Sequence, residues 1–150
     1  EELVETYAAH YLNPNNRHMR LFPDVPPTLE RLREAGYWLS VATGKGRSGL
    51  NQAIAQTGTG DFWLATACAS ECPSKPAPDM VWRLCDELGV MPSESIVIGD
   101  TAFDLEMAAH AGARGIGVTT GAHSRETLQS APNIGILSCF GELEGFLQRQ

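Results

Sequence analysis

Apolar positions along the chain alternate between two rhythms. Short β-branched runs are followed by stretches with apolar residues three and four apart, the signatures of buried strands and amphipathic helices. At the start, Leu3, Val4, Tyr7, Ala8 and Tyr11 keep the helical spacing. This predicts a helix over Glu1 to Leu12, ended by Asn13-Pro14-Asn15-Asn16. The segment from His18 to Pro27 holds three prolines and reads as a connector. A helix then begins at Pro27 or Thr28, runs through Leu29, Leu32 and Ala35, and stops at Gly36. Beyond it, strands are predicted at 37–42, 61–68, 96–98, 115–119 and 134–137, with helices at 47–56, 79–88, 105–111, 124–130 and 140–147. Strands alternating with helices imply an α/β fold, a Rossmann-like three-layer sandwich around a mainly parallel sheet.

Composition narrows the partners. The 150 residues are 43% hydrophobic and 19% charged, ordinary for a chain that buries a core. A formal charge of −7 with no basic run argues against nucleic acid and against anionic membrane surfaces. No apolar run approaches the roughly 20 residues of a membrane helix, and the opening Glu1-Glu2 is unlike a secretory leader, so the expected setting is cytoplasmic. The cysteines at 68, 72, 85 and 139 have neither zinc-site spacing nor disulfide-scaffold density, and are expected to be reduced.

Candidate chemistry gathers where strands end. In Ser95-Ile96-Val97-Ile98-Gly99-Asp100-Thr101-Ala102-Phe103-Asp104 a strand passes through a tight turn into a helix. Asp100 sits at the carboxyl edge of the sheet, where ligands of open α/β sheets gather, and Asp104 lies one helical turn on. Two carboxylates so placed suit a hard cation such as Mg²⁺, though capping and helix-dipole roles account for the spacing equally well. Thr43-Gly44-Lys45-Gly46 offers a hydroxyl and backbone N–H groups to an anion. Gly44-x-Gly46-x-x-Gly49 also fits a dinucleotide fingerprint, whose ribose-binding acid would have to be Asp61 or Glu71. Lys75, in Ser74-Lys75-Pro76-Ala77-Pro78, stands in a stiff loop that could hold an ammonium against a phosphate. His123 reads as a helix-start or surface residue rather than a base. A non-catalytic interaction domain is a third reading.

In this order, Leu21-Phe22-Pro23-Asp24-Val25, Val41-Ala42-Thr43-Gly44-Lys45, Ser74-Lys75-Pro76 and Ile98-Gly99-Asp100 through Gly112 resemble the haloacid dehalogenase superfamily, in its phosphoglycolate-phosphatase-like branch. The resemblance implies a Mg²⁺-dependent phosphatase acting on a small phosphorylated metabolite through an aspartyl-phosphate. Thr43 and Gly44 would bind the phosphoryl group, Lys75 would steady its charge, Asp100 would ligate Mg²⁺, and Asp104 would support the metal or its waters. That family's nucleophile and general acid come from an Asp-x-Asp motif after the first strand. No such motif occurs here, the aspartates being 24, 61, 79, 86, 100 and 104. By the same resemblance residues 1–20 match the end of a helical cap with its connector, and residues 21–150 the hydrolase core. The chain is expected to be the C-terminal two-thirds of such an enzyme, and inactive alone.

Overall fold

A computed structural model describes residues 3–6 and 22–150. Six strands form one parallel sheet: β1 (Leu3–Thr6), β2 (Trp38–Thr43), β3 (Trp63–Cys68), β4 (Ser95–Gly99), β5 (Arg114–Val118) and β6 (Gly135–Leu137). Their order across the sheet is β3-β2-β1-β4-β5-β6. Among the described residues six α-helices connect or close them: α1 (Val25–Glu34), α2 (Arg47–Thr57), α3 (Asp79–Leu88), α4 (Ala102–Ala111), α5 (Arg125–Gln129) and α6 (Leu143–Gln148).

The apolar pattern explains the layers. β4 is buried along its whole length, because it is central and covered on both sides, as parallel strands require. Its alternate residues face opposite ways. Ile96 and Ile98 join Leu29 and Leu32 of α1 and Leu143 and Leu147 of α6 in one core. Val97 joins Met80, Val81, Leu84 and Cys85 of α3 and Met107, Ala108 and Ala111 of α4 in the other. Met80, Val81, Leu84 and Cys85 recur three and four apart along α3, which puts them on one buried face. All four cysteines are free thiols, Cys68 and Cys85 buried.

The two ends of the α1–α6 layer are tied by an interaction absent from any local pattern. Asp24 Oδ2 accepts the Gly141 N–H at 2.8 Å, joining the entry of α1 to the short 3₁₀ turn Phe140–Glu142. Helix α1 begins at Val25 rather than at Pro27 or Thr28, with two prolines inside its first turn, where their missing N–H groups cost nothing.

The N-terminal expectation needs correction. Instead of a helix, Leu3–Thr6 is a strand, pairing with β2 on one side and β4 on the other. Helical spacing at 3, 4, 7, 8 and 11 loses to tertiary demand. The facing edges of β2 and β4 carry buried N–H and C=O groups that would otherwise go unpaired, each costing on the order of 1–3 kcal/mol. The rest of that expected helix, and the connector as far as residue 21, lie outside the described residues.

Two substitutions test this architecture. Leu84→Ala, at a side chain with no exposed surface, is expected to cost about 2–5 kcal/mol in urea unfolding. Val4→Pro separates strand from helix: proline is tolerated in the first turn of a helix but removes a ladder bond from a central strand. Loss of at least about 1 kcal/mol is expected, and unchanged stability would return the segment to a helix.

Candidate active site

The sheet order sets where a ligand can bind. From β1 the chain moves outward through β2 and β3, then crosses to β4, β5 and β6, so the order reverses at the middle of the sheet. Open α/β sheets bind ligands at the carboxyl ends of their strands at such a reversal. Thr43 ends β2 and Asp100 follows β4. In the register, Thr6 of β1 is level with both Val41 and Ile98. Thr43 and Asp100 each stand two residues further on, at one height on either side of the β1 line, roughly 10 Å apart as two strand spacings.

Asp104 is fully buried and has both oxygens engaged. Its Oδ1 accepts from Lys75 Nζ. Its Oδ2 accepts from the Thr101 backbone N–H at 3.1 Å and from the Thr101 hydroxyl at 2.8 Å. Thr101 Oγ1 in turn accepts the Asp104 N–H at 3.2 Å, which completes a reciprocal cap on α4. The cap on α4 is Thr101 rather than Asp100, which the spacing also allowed, and Asp104 completes that cap from the first turn while holding the lysine. The lysine side chain is 9% exposed. Its loop is fastened a second time, where His110 Nδ1 of α4 donates to the Pro76 carbonyl at 2.9 Å; the Lys75–Pro76 peptide is cis.

Asp100 is 1% exposed, and its Oδ2 accepts the Ala122 N–H at 2.8 Å. Two glycines make room for these carboxylates. A Cβ on Gly99 would overlap the Asp104 side chain, and one on Gly121 would overlap the Asp100 carboxylate. Thr43 is fully buried and its Oγ1 accepts the Lys45 N–H at 3.1 Å, which curls the Gly44 turn back over the end of β2. The buried carboxylate of Asp100 is of the kind that suits Mg²⁺, which commonly takes one or two carboxylates and completes its shell with water and phosphate. Among the described residues no group of three or more His, Cys, Asp or Glu gathers. Asp100 fits as one ligand of a set completed by others.

Sequence reasoning passed over several contributors. Gly99 and Gly121 act by lacking a side chain, which their neighbours alone reveal. Thr101 and His110 stand in ordinary helix-start and helix-end positions. Arg47, opening α2, pairs with Glu71 at 2.7 Å and donates to Thr66 Oγ1 at 2.8 Å, bracing the Thr43 turn against the loop after β3. Hydrogen bonding from Arg47 holds the Glu71 carboxyl below its usual range despite some burial. That use of Glu71 removes it from the dinucleotide reading. The other acid, Asp61, precedes β3 and lies by a cavity of about 320 Å³ at the amino ends of β2 and β3, away from the Gly44 turn. His123 serves a helix start, that of α4: its Nδ1 accepts the Ala102 N–H at 2.9 Å.

Comparison with known proteins fits this arrangement. The family model for haloacid dehalogenase-like hydrolases matches residues 1–140. The chain belongs to that family. Curated relatives include pyrophosphatase PpaX of Bacillus velezensis, 29% identical over 131 residues and covering 87% of this chain and 61% of its own. A phosphoglycolate phosphatase of Haemophilus influenzae is 33% identical over 122 residues, with coverage of 81% and 54%. A predicted phosphoglycolate phosphatase of Haemophilus somnus, solved by crystallography, superposes with a TM-score of 0.80 at 27% identity, covering 86% of this chain and 58% of its own. This haloacid dehalogenase-like chain thus spans a little over half the length of these relatives. Among the described residues no helix is long and apolar enough to cross a membrane.

Lys75→Met is expected to destabilise the fold by about 3–5 kcal/mol, since it strands the Asp104 charge. A loss below 1 kcal/mol in urea unfolding would show that the pair is not the anchor. Gly121→Ala is expected to fold while shifting the Asp100 and Ala122 amide resonances, because the new methyl group claims the carboxylate's place.

Proposed function

We propose that this chain is the C-terminal part of a Mg²⁺-dependent phosphatase that hydrolyses small phosphate monoesters through an aspartyl-phosphate. The observation that carries the reading is the grouping of a buried Lys75–Asp104 pair with Thr43 and Asp100 at the sheet's reversal point. The hydroxyl of Thr43 and the N–H groups of the Gly44 turn bind the phosphoryl oxygens. Lys75, held by Asp104, neutralises their charge. Asp100 would hold Mg²⁺, with Asp104 supporting its waters, and the metal would supply positive charge against the phosphoryl group. Residues 21–150 are the hydrolase core on this reading, and residues 1–20 the end of a cap, with Leu3–Thr6 lodged in the core sheet.

The nucleophile lies outside this sequence. A carboxylate must attack phosphorus while a second acid protonates the departing alkoxide, and water then cleaves the acyl phosphate. No Asp-x-Asp motif is present. The strand between Thr43 and Asp100 is Leu3-Val4-Glu5-Thr6, which carries no aspartate. The relatives' names favour phosphoglycolate, with pyrophosphate second. A cytoplasmic metabolite phosphatase fits the acidic composition and the free thiols.

The test is an aryl-phosphate assay on two proteins, the 150-residue chain and a longer form carrying an Asp-x-Asp strand ahead of it. Turnover is expected from the longer form alone, dependent on Mg²⁺ and lost in Asp100→Asn. Loss of an essential nucleophile removes several orders of magnitude. Robust metal-dependent turnover by the short chain would overturn the assignment of roles.

A further inference from the structure

The loop after β5 closes on the start of α4 through three hydrogen bonds. The Ala122 N–H donates to Asp100 Oδ2 at 2.8 Å, and the His123 N–H to the Asp100 carbonyl at 3.2 Å. In the return direction, the Ala102 N–H donates to His123 Nδ1 at 2.9 Å. In two of them the loop supplies only a backbone N–H, which any residue but proline has; the third requires an acceptor at the imidazole. Because Ala102 can only donate, Nδ1 is unprotonated and the neutral ring carries its proton on Nε2. Phe103 packs beside the ring, centroids 5.8 Å apart at 60°, and restricts its rotation. Thr101 already caps the N–H of Asp104, so His123 takes a different first-turn donor.

We propose that His123 is a positioning residue for Asp100, its Nδ1 latching the 121–123 loop to α4 so that the Ala122 N–H keeps the carboxylate aimed into the crevice. The inference deepens the Mg²⁺-phosphatase reading and rests on it for the metal. The latch itself stands on the hydrogen bonds.

The test compares His123→Ala, His123→Phe and His123→Asn in the 150-residue chain. Phenylalanine keeps the ring without the acceptor. Asparagine keeps an acceptor near the Nδ1 position without the ring. Mn²⁺ is the probe, followed by paramagnetic broadening of the amides around Asp100, with the Ala122 amide proton shift recorded without metal. Alanine and phenylalanine are expected to weaken Mn²⁺ binding by about 10-fold or more, as loss of a group that orients a ligand typically does. They should also move the Ala122 amide, and asparagine should restore both readouts. A purely packing role predicts rescue by phenylalanine instead, and would overturn the inference. So would an Ala122 shift and Mn²⁺ affinity that ignore all three changes. If the unsubstituted chain shows no broadening near Asp100, the Mn²⁺ arm moves to the longer form carrying an Asp-x-Asp strand, and in the short chain the Ala122 shift alone decides whether His123 latches the loop.

Discussion

An ammonium and a carboxylate taken almost wholly out of water are unstable unless each is compensated, because the desolvation cost is several kcal/mol per ion. Lys75 and Asp104 meet that condition together. The carboxylate takes the lysine on one oxygen and two donors from Thr101 on the other, at the end of α4 where the helix dipole favours negative charge. The pair joins the loop after β3 to the turn after β4, so two crossovers on one face of the sheet are set by one contact. His110 fastens the same loop one and a half turns further along α4. Helix α4 is therefore the part against which the other site elements are measured.

The strands from β2 to β6 were legible because a parallel strand buried on both faces has to be a short apolar run, and Val41-Ala42, Ile96-Val97-Ile98 and Gly115 to Val118 are such runs. Boundaries moved by up to three residues where a turn could be closed in more than one way, as at Val25 and Ala102. The strand at Leu3–Thr6 was not legible. Its apolar spacing favours a helix, and what makes it a strand is the pair of edges presented by β2 and β4, whose paired residues lie 35 and 92 positions away in sequence. Local pattern carries no trace of such a demand.

The site divides the same way. Positions of Thr43 and Asp100 follow from strand ends, which periodicity locates. The partner of Asp104 does not, since Lys75 is 29 residues away and a lone lysine is usually solvated. Sequence places His123 at a helix start or on the surface, and the helix start it serves lies behind it in the sequence rather than ahead. Glu71, a candidate ribose ligand by spacing, is drawn into the Arg47 pair by the return of the chain after β3.

Gly99 and Gly121 set the limits within which the crevice can change. Each is pressed against a carboxylate, so the floor of the crevice admits no added atom at either place without displacing Asp104 or Asp100. The rim is under no such constraint: Phe103 and Ala122 are exposed. A substitution at the rim therefore changes only the outline of the crevice, whereas one at the floor moves a buried carboxylate and everything fastened to it.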